Sequence, residues 1–240
     1  MSLTITYNGK ASTASDLGIQ SVMRLRRPIV SGTRERTVYV PGMNGVHYLG
    51  QDREPAIHDL RIYFTGGSIT QRRSRANAIT AWLYTAGALA TLQYSDEAYR
   101  YSAVAINNAT PTEIAHKGWL DFSFYVPGGY KESTTEKTAS PNAGIEPVPV
   151  QITVTMTADA PDGVKVICGD DFLEFDVSLL TGDVVEIDTG ARTAYIDDAY
   201  ETDIRQHLTL ASEWFAVPVG AFTITAAGAT VTFAYRERWL

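Results

Sequence analysis

The stretch Glu132–Met156 reads ESTTEKTASPNAGIEPVPVQITVTM. Its two parts obey different rules. Residues 132–149 are rich in Ser, Thr, Pro, Glu and Gly, with a single isoleucine, Ile145. That composition buries too little apolar surface to offset the entropy of ordering it, so it reads as a linker, stiffened at its end by Pro147 and Pro149. From Val150 the pattern changes. Val150, Ile152, Val154 and Met156 alternate with Gln151, Thr153 and Thr155, the period of a half-buried strand. The chain is therefore read as one domain over 1–131, a linker over 132–149 and a second domain over 150–240.

Charge supports the division. Residues 1–131 carry a net charge of +5 and residues 132–240 a net of −12, within a total of −7 over 240 residues. Such asymmetry is expected of two domains with different surroundings. The lone cysteine, Cys168, excludes an internal disulfide framework. No apolar run reaches the roughly 18 residues of a membrane span. The beginning, MSLTITYNGK, lacks a basic region followed by an apolar one, so no signal peptide is expected. Asn108-Ala109-Thr110 spells a glycosylation sequon, which has no meaning without secretion.

Beyond the linker the pattern is nearly all strand. Leu173, Phe175 and Val177 alternate with Glu174 and Asp176; Phe222, Ile224 and Ala226 follow, then Val231, Phe233 and Tyr235. Turn residues at 161–163, 169–170, 181–182 and 189–190 punctuate them. Many short antiparallel strands predict a β-sandwich, with one short helix within 199–210. The first domain is mixed. Strands are predicted at 3–7, 20–30, 35–41, 56–65, 88–95, 99–107 and 117–126. One helix stands among them, capped by Ser68 with Gln71 completing the box. Ile79, Trp82, Leu83 and Ala86 lie on its apolar face, and Gly87 is placed at its end. The fold class is mainly β: an α+β domain of a sheet with one helix, then an antiparallel sandwich.

The ordered set of motifs resembles a known family. In the first domain it comprises RLRRPIV (24–30), VPGMNG (40–45), HDLRIYFTGGS (58–68), RANAITAWLYTAGALATLQYSDEAYRYSAV (75–104) and GWLDFSFYVPGGYKES (118–133). In the second it comprises PNAG (141–144), PVQITV (149–154), TGDVVEIDTGARTAYI (181–196) and VTFAYRERWL (231–240). Together they resemble the distal tail proteins of long-tailed siphophages. The resemblance implies a homo-hexameric ring built from N-terminal domains and a galectin-like C-terminal sandwich outside it. It implies a structural role without catalysis or cofactor, joining the major tail tube protein to a tail-associated hub or fibre protein. The expected location is the virion tail tip, after synthesis in the bacterial cytoplasm. No membrane is involved, and nucleic acid is met only in transit through the ring. The alternative function is a carbohydrate-binding module acting in host attachment through the C-terminal sandwich, with Trp119, Trp214 and Trp239 among the aromatic residues available to a sugar platform.

Asp188-Thr189-Gly190 spells the active-site triplet of aspartic peptidases. Those enzymes need two carboxylates sharing one proton, hence a homodimer here, and a second apolar-apolar-Gly segment. The nearest, Val217-Pro218-Val219-Gly220, carries a proline where a ladder strand is required. A turn between strands explains the triplet better, with Asp as side-chain acceptor and Gly tolerant of positive φ. His47, His58, His116 and His207 show no metal-ligand spacing. Asp159, Asp162, Asp170 and Asp171 sit around turns without a calcium-loop pattern, and no nucleophile elbow or phosphate loop occurs. No catalytic or metal residue is assigned.

The arginines are the candidate site. Arg72, Arg73 and Arg75 occupy the first turns of the helix, where its dipole disfavours cations. A placement against local preference suggests an external partner. Arg24, Arg26 and Arg27 form a second cluster, with alternation sending Arg24 and Arg26 to one face and Arg27 to the other. For these residues a subunit interface and a solvated sheet edge stand as equal readings.

Overall fold

The computed structural model describes residues 3–28, 31–42, 44–106, 112–114, 117–197 and 202–240. His116 and the sequon at 108–110 lie outside them. The chain is mainly β, with antiparallel sheets and, among the described residues, one α-helix. It divides into two compact units, Met1–Glu132 with Leu240, and Ser133–Trp239.

The spine of the first unit is the pair Ala56–Thr65 and Lys117–Val126, in register from Ala56↔Val126 to Thr65↔Lys117. Ala56, His58, Leu60, Ile62 and Phe64 point inward, facing Leu120, Phe122, Phe124 and Val126 in the same core. The alternation in sequence is thus the alternation in burial, except at Ser123, which is buried although it lies on the alternate position. The sheet runs in the order Lys10–Ala11, Ile5–Tyr7, Ala90–Tyr94, Tyr99–Ile106, Lys117–Val126, Ala56–Thr65, Ile19–Arg26.

The helix spans Ile69–Leu83. Ser68 Oγ accepts from Gln71 N at 3.1 Å, and the Gln71 side chain reaches back to accept from Gly67 N at 2.7 Å. This satisfies donors that the first helical turn leaves without partners. Ala76, Ile79 and Trp82 are buried against the sheet. Trp82 Nε1 donates to Tyr7 O at 2.9 Å, and the Tyr7 ring lies 4.7 Å from that of Phe124. The helix closes earlier than expected. Tyr84 is the cap, so Ala86 is not on the apolar face; Ala86 and Gly87 instead form a left-handed turn at φ 53° and 84°.

The short strands Lys10–Ala11, Thr112–Ile114 and Lys131–Ser133 lie outside the expected ranges. So does His47–Arg53, which among the described residues pairs with Thr33–Val38 alone, as a separate ribbon.

In the second unit five strands form one sheet: Thr202–Asp203, Thr193–Ile196, Val184–Asp188, Val150–Met156 and Ala229–Tyr235. Asp171–Phe175, Val164–Cys168 and Ile224–Ala226 form the other. Val150, Ile152, Val154 and Met156 share a single core with Val166, Leu173 and Phe175, so the two sheets bury their inner faces as a sandwich. The short helical turn is Arg205–His207.

Residues 133–149 are tied into this unit. Lys137 exchanges backbone hydrogen bonds with Tyr235, Asn142 with Gly220 and Val148 with Val217. Tyr235 Oη donates to Ala139 O and Pro141 O at 2.8 and 2.9 Å, and Arg236 to Thr134 O at 2.6 Å. Asn142 and Val148 are buried. Composition describes only side chains. Here the main chain supplies the hold, through donors and acceptors that every residue carries.

Candidate interaction surfaces

The ribbon Thr33–Val38/His47–Arg53 is exposed along nearly all its length. Its register runs from Thr33↔Arg53 to Val38↔His47, with a bulge between Arg36 and Thr37. VPGMNG forms its tip, with Gly42 and Gly45 at φ 88° and 90°; Met43 lies outside the described residues. The stem carries Arg36 paired with Asp52 at 3.3 Å. The outer part is apolar: Tyr39 is 68 % exposed, Tyr48 58 % and Leu49 58 %, beside Val38, Val40 and Val46. A lone two-stranded ribbon is marginal in water, and contiguous exposed apolar surface marks a site of partner contact. Period-two reading missed the second strand because neither face is buried. The available signal was the glycine turn flanked by β-formers on both sides.

The arginine clusters divide. The Ile19–Arg26 strand has an irregularity in which Arg24 pairs with Leu60 and Arg26 with Asp59. The extra residue breaks the alternation, correcting the expectation that Arg24 and Arg27 face opposite ways. Both reach Asp96: Arg24 at 3.0 Å, and Arg27 through two bonds at 3.1 and 3.0 Å. Arg27 also pairs with Glu97 at 3.0 Å and lies 4.5 Å over the Tyr94 ring; its side chain is only 9 % exposed. Hydrogen bonds from Arg27 hold the Asp96 carboxyl below its ordinary range. A cleft of about 410 Å³ beside this cluster is lined by Arg24, Leu25, Arg27, Glu97, Tyr101 and Lys131. On the helix, Arg72 is buried, and Arg75 donates to Thr65 O while packing against Gly18. Arg27, Arg72 and Arg75 thus each have surroundings supplied by their own unit. Arg26 and Arg73 are exposed and form no ion pair among the described residues, and Arg24 is partly exposed.

Asp188 ends the Val184–Asp188 strand and pairs with Thr193 of the next. Its Oδ1 accepts from Gly190 N and Ala191 N, both at 2.8 Å, and Oδ2 from Gln151 Nε2 at 3.3 Å. Thr189 Oγ1 accepts from Val150 N at 2.9 Å. The carboxylate is therefore engaged in closing a turn. Arg192, not Gly190, takes the left-handed conformation, at φ 56°. Gly190 is in close quarters instead, where a Cβ would make a tight 3.0 Å contact with Pro149 Cβ. Asp188→Asn keeps the accepting oxygen and is expected to cost under about 1 kcal/mol by chemical denaturation. A larger loss, or acid-pH cleavage of a denatured substrate abolished by that change, would contradict the turn role.

Asp159 accepts from Thr181 N and Oγ1 at 2.8 and 2.7 Å, which accounts for one of the turn carboxylates. Among the described residues no group of His, Cys, Asp and Glu is arranged to hold a metal, and no helix is long and apolar enough to cross a membrane.

Residues 143–239 match the family model of the siphovirus-type tail component, C-terminal domain, and residues 12–126 match that of the phage tail protein RIFT-related domain. The chain belongs to the siphophage distal tail protein family. This is a family of structural tail components. Among solved structures, the Dit protein of phage SPP1, described as a paradigm of the hub adsorption apparatus in phages infecting Gram-positive bacteria, is similar at a TM-score of 0.79 and 17% identity, covering 100% of both chains. The phage P2 baseplate in its activated conformation with Ca is similar at 0.62 and 8% identity, covering 99% of this chain and 98% of that one. At such identities the likeness is one of fold. No curated protein matches the sequence. Against the distal tail family, the exposed ribbon and the surface arginines become candidate assembly contacts.

Proposed function

We propose that the protein is a ring-forming adaptor of the siphophage tail tip, without catalysis. Its first unit builds a homo-hexameric ring; one ring face receives the major tail tube protein and the other the tail-associated hub or fibre. Nucleic acid passes through the ring without being a ligand. The observation that carries this reading is the ribbon 33–53, whose apolar outer part stays largely exposed. Buried in a neighbour, those partly exposed side chains each gain on the order of 1 kcal/mol. Arg24, Arg26 and Arg73 remain as surface cations for contacts at the same or an adjoining interface.

Light scattering tests it. The protein, alone or with its tube protein, is expected at several times the 26.2 kDa monomer mass. Replacing Tyr39, Tyr48 and Leu49 together by Ser should return it to a folded monomer, since exposed positions carry little of the unit's own stability. Unchanged assembly of that variant would remove the ribbon from the interface. A monomer under every condition would remove the ring.

The glycan alternative has one feature in its favour. The outer face of the five-stranded sheet holds a shallow cleft of about 280 Å³ lined by Gln151, Thr153, Glu186, Asp188, Thr193 and Tyr195. Retention of the intact protein on a host cell-wall glycan, lost with Tyr195→Ala, would support it.

A further inference from the structure

The strand Ala229–Tyr235 is one edge of the five-stranded sheet in the second unit. In an antiparallel pair, successive residues alternate between bonding across to the partner strand and pointing away from it. The phase is fixed at one end. Tyr235 exchanges both main-chain bonds with Lys137, and its cross-strand neighbour Val150 gives its own to Thr189. Tyr235↔Val150 is therefore a pair without cross-strand bonds, and by alternation so are Phe233↔Ile152 and Val231↔Val154. The N–H and C=O groups of Val231 and Phe233 thus point off the edge of the sheet. No described residue makes a hydrogen bond to them. The segment after Lys137 does not carry the ladder on. It turns away, with Ala139 O held by Tyr235 Oη at 2.8 Å and Ser140 Oγ by Phe222 N at 2.9 Å.

Free sheet edges are blunted by charge, proline, a bulge or shortness. This one has none of these. Its sequence, ATVTFAY, is seven residues long without a charge or a proline, and it stays in unbroken register with Val150–Met156. The opposite edge, Thr202–Asp203, is two residues long, and Asp203 there pairs with Arg205. Beside the open groups lies a cleft of about 500 Å³, lined in part by Thr138, Thr153, Val231, Thr232 and Phe233. Val231 and Phe233 are half-buried, and Thr230 and Thr232 are exposed. A strand laid along this edge meets apolar neighbours on one side and hydroxyls on the other.

We propose that this edge binds an extended, cationic segment of a partner protein by adding it to the sheet as a further strand. Main-chain pairing supplies the affinity and alternate side chains the specificity. The charge of the occupant follows from the charge of its seat. Residues 132–240 carry a net charge of −12. Exposed Asp159 stands at the Gly228 end of the strand, next to Ala158, whose N–H donates to Gly228 O. A second copy of the chain brings the same negative charge to the edge, and like charge opposes that association. Lys or Arg on an incoming strand is attracted instead. The alternate side chains of that strand are apolar, to lie beside Val231 and Phe233. The site lies wholly within the second unit and is independent of the ring.

Amide-resolved hydrogen exchange on the full chain tests it, with two short peptides as probes, one alternating Lys and Val and the other Glu and Val. In the dilute protein alone, Val231 and Phe233 are expected to exchange at least about tenfold faster than Thr232 and Ala234, whose N–H groups bond across to the neighbouring strand. The Lys-Val peptide should slow exchange at 231 and 233 by about tenfold at saturation, and the Glu-Val peptide should leave it unchanged. Methylating the valine nitrogens of the Lys-Val peptide keeps its charge and removes the donors that face the edge, so protection should vanish. Slow exchange at 231 and 233 in the dilute protein alone would show the edge already covered and overturn the proposal. Protection that comes only from raising the protein concentration would assign the edge to a second copy and overturn the cationic partner. No protection by the Lys-Val peptide, or equal protection by the Glu-Val or the methylated one, would overturn it as well.

Discussion

Gly163→Ala is expected to cost about 3–5 kcal/mol, enough to unfold the second unit if its stability lies at the lower end of the usual range. Gly163 closes the turn that starts at Ala160, with its N–H donating to Ala160 O at 3.2 Å and φ at +94°. An alanine would be strained by that conformation alone. A Cβ would also fall 1.9 Å from the Phe175 carbonyl oxygen and 3.1 Å from Val177 N. That carbonyl cannot retreat easily, because Phe175 is fully buried and pairs with Val164 across the smaller sheet. Gly182→Ala is the control. Its φ is +97°, yet nothing lies within 4 Å of the added carbon, so only the backbone strain of about 1 kcal/mol remains. Urea denaturation followed at Trp214 compares the two. Equal costs would show that the clash at Phe175 is relieved by a small shift.

Acid is expected to destabilise the first unit through His58. The ring is buried inside the Ala56–Thr65 strand, with Nδ1 2.9 Å from Tyr94 Oη and the Tyr101 ring 4.8 Å away edge-on. Burial, helped by repulsion from Arg27 and opposed by Asp59, lowers its pKa from 6.5 to about 4. The folded state therefore holds the imidazole neutral, while the unfolded chain binds a proton at the ordinary value. The stabilisation is complete above pH 6.5 and is lost as pH falls from there toward about 4. The loss amounts to about 3 kcal/mol. Asp96 and Asp121 have pKa values lowered from 3.8 by their arginine partners, so their contributions fade only below the histidine window. Denaturation midpoints across the two windows separate the groups. His58→Gln should lower stability at neutral pH and flatten the slope through the upper window. A wild-type slope that persists in the variant would assign the acid sensitivity elsewhere.

What the sequence determined by itself was local or strictly periodic. The Ser68 cap with Gln71 lies within four residues, and the hydrogen bonds found there are those expected from the spelling. The strands Ala56–Thr65 and Val150–Met156 announce themselves because each buries every second side chain, and Lys117–Val126 does so apart from Ser123, which is buried as well. Asp188 was readable as a turn because its acceptor serves N–H groups two and three residues on. The ordered motifs carried the family for the same reason: each is a short segment legible without its partners.

Tertiary structure decided the rest. Arg27 and Arg24 turned to one carboxylate because an irregularity in their strand broke the alternation, and that carboxylate, Asp96, is 69 residues beyond Arg27. Arg72 is buried and Arg75 donates to Thr65 O, contacts that their place at the helix start could not announce. Residues 133–149 looked unfastened because composition does not count main-chain hydrogen bonds, and their partners near Gly220 and Tyr235 are far along the chain. The ribbon 33–53 was half missed for the opposite reason. A strand that buries neither face in its own chain leaves no period in the sequence, and only coordinates show that its apolar side chains stand unburied.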